Sequence, residues 1–159
     1  MEADLGSAKA IKSLDIEGGN VKVGVTLGFP AAGHRSALAA ALDDRIRAVA
    51  GVEDVEVEVG WKIASHAVQQ GLDALKNVRN IVAVASGKGG VGKSTIAANL
   101  ALALSAEGAT VGVLDADIYG PSQPRMLGAQ GQPDSRDGKS LEPMTSYRIQ
   151  SMSIGYLIE

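Results

Sequence analysis

The sequence predicts an α/β chain in two parts: a small α+β domain over residues 1–76, ending in a connecting helix, then an incomplete parallel-sheet domain over residues 77–159. Three observations predict it. Valines alternate with polar residues in two early segments that flank a helical stripe. An unbroken apolar run, Ile81 to Ala85, leads straight into a glycine-rich loop and an Ala/Leu-dense helix. The length, 159 residues with 45% hydrophobic and 21% charged content, suits one ordinary domain or two small ones.

The elements follow in order. Ile11, Leu14 and Ile16 read as a strand or a short helix, and Gly18, Gly19 and Asn20 as a turn. Val21, Val23, Val25 and Leu27 then alternate with Lys22, Gly24 and Thr26, the period of a strand with one buried face, which Pro30 closes. A helix is expected from Ser36 to Val49, with Leu38, Leu42, Ile46 and Val49 on one stripe and Gly51 as its stop. Val55, Val57 and Val59 repeat the strand pattern, and Trp61 reads as a core or domain-contact residue. Ser65 to Lys76 carries a further helical pattern, although glycine in a helix, here Gly71, costs roughly 1 kcal/mol.

In the second part, Ile81 to Ala85 is apolar throughout, as in a strand covered on both faces. Ser94 to Glu107 reads as a helix ended by Gly108, and Val111 to Leu114 as another buried strand, which completes one strand-helix-strand unit. Tyr119 to Tyr147 is rich in Gly, Pro, Ser and charge, so loops are expected, with a short helix over Gln123 to Leu127. Ile149 to Ile158 is expected to return as a strand.

Composition excludes several classes. Twenty glycines and five prolines come without a Gly-X-Y repeat, so collagen is excluded. Fifteen Lys plus Arg against eighteen Asp plus Glu leave a net charge of -3, without the bulk positive field that holds a nucleic-acid backbone. There is no cysteine, hence no disulfide, thiolate metal ligand or cysteine nucleophile in this sequence, and His34 and His66 are too few to form a metal cluster. The Met-Glu-Ala-Asp start lacks the basic, then apolar, pattern of a signal peptide, and no run of eighteen apolar residues occurs. The expectation is a cytoplasmic protein with neither membrane nor nucleic acid as partner.

The segment Gly87-Lys88-Gly89-Gly90-Val91-Gly92-Lys93-Ser94-Thr95 contains the Walker A pattern G-x-x-x-x-G-K-[ST]. Glycine permits the dihedrals that turn successive backbone amides inward around phosphates, and the helix that follows adds unpaired amides and the positive end of its dipole. Lys93 can reach the β- and γ-phosphates of ATP, Ser94 can ligate magnesium, and Thr95 can contact the α-phosphate or cap the helix. A rival pattern is the dinucleotide fingerprint, since Gly87, Gly89 and Gly92 also satisfy G-x-G-x-x-G. Asp115 stands 28 residues after Gly87, long for a ribose-binding acid, and that rival has no use for Lys93 and Ser94.

Asp115 and Asp117 form a second cluster at the end of the Val111 to Leu114 strand. At i and i+2 of extended chain the two carboxylates share a face and can turn toward one crevice. One of them would then support magnesium through water, while the other orients the attacking water for in-line phosphoryl transfer. Lys88 is a second lysine in a loop that needs one. It reads as a solvated charge or as a cation reaching a partner subunit's nucleotide in trans.

Gly87 through Thr95, with Lys88 at the signature-lysine position, resembles the deviant Walker A box of the MinD/ParA-like P-loop ATPases. Ser86 through Ala98, Leu114-Asp115-Ala116-Asp117-Ile118-Tyr119-Gly120-Pro121-Ser122-Gln123-Pro124 and Ser153-Ile154-Gly155-Tyr156-Leu157-Ile158 more closely resemble the Mrp/ApbC family of iron-sulfur cluster carrier ATPases. Leu27-Gly28-Phe29-Pro30-Ala31 through Gly51-Val52-Glu53, with the strand over Val55 to Val59, resembles the small MIP18-like cluster-assembly domain that precedes many such cores. That domain's acidic-proline opening and first helix are missing or shortened at Met1 to Gly6, and Ala31 and Ala32 stand where some relatives carry cysteine.

The resemblance implies a P-loop NTPase domain behind a MIP18-like one, and a homodimeric ATPase that uses ATP and magnesium to load clusters and deliver them to apoproteins. Lys88, Lys93 and Asp117 would serve catalysis, and Ser94 and Asp115 the metal. The family core runs on to a Cys-x-x-Cys pair that holds a bridging cluster, so the resemblance implies that these residues are the front portion of a longer carrier. Two other readings stay open: a MinD/ParA-type positioning ATPase, and a nucleotide-binding interaction module without turnover.

Overall fold

The computed structural model describes residues 4–65, 75 and 77–158. It is a mixed α/β chain of two compact units, Met1–Ile81 and Val82–Glu159. No helix among the described residues is long and apolar enough to cross a membrane.

The first unit contains strands β1 (Ile11–Glu17) and β2 (Asn20–Leu27), helix α1 (Arg35–Arg47) and strand β3 (Asp54–Trp61). Gly18, at φ 60°, turns β1 into an antiparallel hairpin with β2, so the strand alternative holds for Ile11, Leu14 and Ile16. α1 carries the chain over to β3, which lies parallel to β2 in register from Asn20↔Asp54 to Leu27↔Trp61. The valine alternation does what its period demands. Val21, Val23, Val25, Leu27, Val55 and Val59 are buried, with Leu38, Leu42, Ile46 and Trp61 partly buried in contact with that core.

Val49 departs from the expected stripe and is 58% exposed. The helix stops at Arg47, and the Val49 N–H bonds the Ile46 carbonyl in a closing turn ahead of Gly51 at φ 90°. The helix expected over Ser65 to Lys76 falls almost wholly outside the described residues. On either side of that gap, Asn80 Nδ2 donates to the Ala64 carbonyl at 2.8 Å and Ser65 Oγ to the Arg79 carbonyl at 3.3 Å.

The second unit contains α2 (Lys93–Ala106), β4 (Val111–Asp115), α3 (Gln123–Met126), β5 (Met144–Ser146), β6 (Ile149–Ser153) and a 3-10 turn over Ile154–Tyr156. Its sheet order is β4-β6-β5, with β4 and β6 parallel and β5 and β6 antiparallel. Ala98, Ala101, Leu127 and Ile149 form the core, against which Leu102, Val111 and Val113 lie partly buried. Alanines on the inner side of α2 let the helix approach the sheet closely. Gly108, at φ 92°, ends α2 as expected, its N–H bonding the Ser105 carbonyl.

Two expectations are corrected here. Residues 81–86 form no strand, and Ile81 and Val82 are 53% and 65% exposed, so the strand-helix-strand unit lacks its first strand. An apolar run is a strand only where a neighbour takes its N–H and C=O groups, and no described segment pairs with this one. The strand from Val111 is covered on one face only. Val111 and Val113 lie on the core side, whereas Leu114 is 76% exposed.

Candidate functional site

The glycine loop enters α2 through two left-handed residues, Gly90 at φ 70° and Gly92 at φ 87°. L side chains pay for that conformation, so the local sequence answers the backbone's need. Gly92 is the N-cap and its carbonyl accepts the Ile96 N–H at 2.9 Å, which starts the helical ladder. A glycine cap has no side chain with which to satisfy the first helical N–H groups, and such groups are what an anion binds.

Side chains complete the loop. The Lys88 N–H donates to Ser86 Oγ at 3.1 Å, and Lys93 Nζ folds back to the Lys88 carbonyl at 3.4 Å. The ammonium of Lys93 is thus held over the loop by a long, weak bond. Thr95 accepts through its carbonyl from Asn99 Nδ2 at 2.8 Å, one turn on.

The two acids at the end of β4 are placed differently. Asp115, the last residue of the strand, is 8% exposed, whereas Asp117 is exposed beyond the strand, where the alternation of faces no longer applies. Asp115 Oδ1 accepts the Asp117 N–H at 3.2 Å. Its Oδ2 accepts from the Ser122 N–H at 3.0 Å, the Gln123 N–H at 3.0 Å and Ser153 Oγ at 3.1 Å. One carboxylate therefore closes both ends of the Asp117 to Ser122 loop. Inside that loop, Asp117 Oδ1 accepts the Gly120 N–H at 3.0 Å. No group of three or more His, Asp or Glu side chains among the described residues is placed to hold a metal ion.

Gln123 is a residue the sequence reading passed over except as the start of a short helix. Its Nε2 donates to the Ser94 carbonyl at 3.1 Å while its N–H serves Asp115, so it ties the start of α2 to the end of β4. The available signal was its place in the Gly-Pro-Ser-Gln-Pro stretch, which carried resemblance but no chemistry.

Comparison with known proteins adds the context. A family model described as NUBPL iron-transfer P-loop NTPase matches residues 77–159, and one described as iron-sulfur cluster assembly protein matches residues 1–59. An iron-sulfur cluster carrier protein of Pseudomonas fragi is 56% identical over 111 residues, covering 69% of this chain and 39% of its own length. A protein of the same description from Synechocystis is 39% identical over 163 residues, covering 100% of this chain and 46% of its own. Another, from Haemophilus influenzae, is 39% identical over 159 residues, covering 99% and 43%. The chain spans less than half the length of these curated relatives.

Proposed function

We infer function from this premise: the chain belongs to the family of NUBPL iron-transfer P-loop NTPases. On that footing it binds and hydrolyses ATP within a cytoplasmic iron-sulfur cluster carrier, which takes the cluster as cargo and delivers it to apoproteins. The observation that carries this reading is the left-handed Gly90 and Gly92 turn opening directly into α2 at Lys93. The finer architecture proposed is a MIP18-like domain over 1–76 and the first part of a P-loop parallel-sheet domain over 77–159.

Placement supports each proposed role. The backbone of Gly87, Lys88, Gly89, Gly90, Val91, Gly92, Lys93, Ser94 and Thr95 wraps the phosphates, and Lys93 exchanges its weak hold on the Lys88 carbonyl for the β- and γ-phosphates. Magnesium takes oxygen ligands and keeps several waters. The Ser94 hydroxyl suits it as a ligand, with Asp115 acting through water because its carboxylate already meets four donors. When bound, that ion neutralises charge developing on the phosphates. Asp117 keeps one oxygen on the Gly120 N–H and orients the attacking water with the other. Lys88, exposed at the loop tip, supplies its cation to the partner subunit's nucleotide in a homodimer.

With no cysteine in these residues, they supply no thiolate ligand to the cluster. The test uses the whole protein: ATP affinity by calorimetry, phosphate release, and recovery of visible absorbance in an apo iron-sulfur acceptor with and without ATP. ATP binding with nucleotide-dependent transfer is the expected result. A protein that binds no ATP, or transfers clusters indifferently to it, overturns the reading.

A further inference from the structure

The side chain of Gln123 is buried, at 4% exposure, and the two ends of its amide are used unequally. Nε2 donates to the Ser94 carbonyl at 3.1 Å, whereas Oε1 is buried without a hydrogen-bond partner. The orientation is dictated by chemistry, because only the NH2 end can meet a carbonyl oxygen. Turning the amide to relieve Oε1 would set two oxygens against each other.

A buried acceptor without a donor is a cost that protein interiors ordinarily avoid. An apolar side chain of similar volume would fill the same space without it, so packing does not explain an amide here. What the amide supplies is a connection. On one side it holds the carbonyl of the second residue of α2. On the other, the backbone N–H of the same residue reaches Asp115 Oδ2 at 3.0 Å, on the carboxylate whose Oδ1 holds the Asp117 N–H at 3.2 Å. Three hydrogen bonds thus run from Ser94 to Asp117, the first made by the Gln123 side-chain amide and the other two by backbone N–H groups on the buried Asp115 carboxylate.

We propose that Gln123 is a positioning residue that fixes Asp117 relative to Ser94, so that the water-orienting carboxylate stays aligned with the nucleotide on the phosphate loop. The inference deepens the ATPase reading above and rests on it. Gln123 itself touches neither the phosphates nor the water; it acts through Ser94 and Asp115.

The test compares Gln123→Met and Gln123→Glu with wild type in the whole protein. Met keeps the volume and removes the unpartnered acceptor together with the donor. Its kcat should fall about tenfold or more, with KM for ATP changed less than about twofold and thermal stability retained. Glu presents a carboxylate to the Ser94 carbonyl at neutral pH but a donating carboxyl when protonated. Its activity relative to wild type should therefore recover as pH falls toward the carboxyl range. A merely structural role would not give that profile. Wild-type kcat in Gln123→Met, or loss of kcat, ATP affinity and melting temperature together, overturns the inference. If Gln123→Met fails to fold, a flat relative pH profile for Gln123→Glu overturns it. Wild type without ATPase activity defeats the function reading first, and is distinguished because it is measured before either variant.

Discussion

Ser153 donates its hydroxyl to Asp115 Oδ2 at 3.1 Å, joining the carboxyl ends of two parallel strands 38 residues apart in the chain. The two are register partners on β6 and β4, and both are buried, at 2% and 8% exposure. Ser153 Oγ also accepts the Gly155 N–H at 3.1 Å, so the same pair anchors the 3-10 turn that follows β6. A charged acceptor shielded from water and met by four donors makes stronger hydrogen bonds than a neutral one.

Asp115→Asn should therefore destabilise the fold by about 2–3 kcal/mol, because an NH2 group replaces an oxygen that faces N–H or O–H donors. Ser153→Ala removes one neutral donor and should cost about 1 kcal/mol. Because the two share a hydrogen bond, the double variant should lose less than the sum. Urea unfolding at constant slope reads all three, and an Asp115→Asn change within about 0.5 kcal/mol of wild type would remove the carboxylate from this anchoring role.

The phosphate-loop glycines separate into two kinds. Gly92 sits at φ 87° with open space where a Cβ would go, so its constraint is conformational and not steric. Gly92→Ala should cost about 1–2 kcal/mol through left-handed backbone strain. Gly87 has neither a positive φ nor a neighbour within 4 Å of a Cβ, and Gly87→Ala should stay within about 0.5 kcal/mol of wild-type stability. Both should weaken ATP binding by calorimetry. Equal stability loss in the two would mean that the left-handed turn is not what Gly92 supplies.

Legibility in the sequence followed the range of the forces involved. Period-two valines and period-four leucines report burial on a single element, and β2, β3 and α1 appear where those periods put them. The motif located the start of α2 because only glycine takes the left-handed entry cheaply. Pairing is different, since a ladder depends on a partner that the local residues do not name. Ile81 to Ala85 has the composition of a buried strand and no partner among the described residues. Conversely, β5 went unread because its hairpin turns through Tyr147 and Arg148 at φ 50° and 62°, without the Asn-Gly signal such a turn usually carries. Part of the answer lies on α2, where Arg148 Nη2 donates to the Ser105 carbonyl at 3.4 Å near the negative end of the helix. Gln123 was illegible for the same reason, its partners Ser94 and Asp115 lying 29 and 8 residues away.

The two loop lysines should fail differently. Lys93→Ala removes the charge proposed to meet the phosphates, and turnover of the whole protein should fall about a hundredfold or more with weaker ATP binding. Lys88→Ala should spare most nucleotide affinity and still remove turnover, as the proposed action of its cation on the partner's site requires. Mixed with a Lys93→Ala protein, it should recover part of the activity if complementary sites form in a heterodimer. Calorimetry with phosphate release decides, and normal turnover in Lys88→Ala would refute the trans role.

Asp137 offers a pH marker outside the phosphate loop. Backbone N–H groups of Ser140 and Lys139, then the Ser140 hydroxyl, hold its carboxyl down at about 2 from an ordinary 3.8. A depressed carboxyl pKa stabilises the fold above the unfolded value, and that contribution is lost as pH falls through the folded one. NMR titration should place the Asp137 midpoint near 2, and Ser140→Ala should move it upward.

The second unit leaves apolar surface uncovered in a pattern that predicts association. Ile96 and Leu100 lie one turn apart on α2, 57% and 38% exposed, on the side away from the buried Ala98 and Ala101. Leu114 is 76% exposed on β4, which is an edge of its sheet among the described residues. A single exposed leucine is ordinary, but an apolar side chain on a strand whose outer N–H and C=O groups lack a ladder partner is a template for pairing. The 159-residue chain should therefore bind a hydrophobic dye in its folded state and sediment with increasing mass as concentration rises. Ile96→Glu with Leu114→Lys should reduce both effects at little cost in stability, since neither side chain is in the core. A monodisperse monomer that binds no dye would show these faces to be satisfied in solution, and the exposed edge of β4 would then have no consequence for assembly.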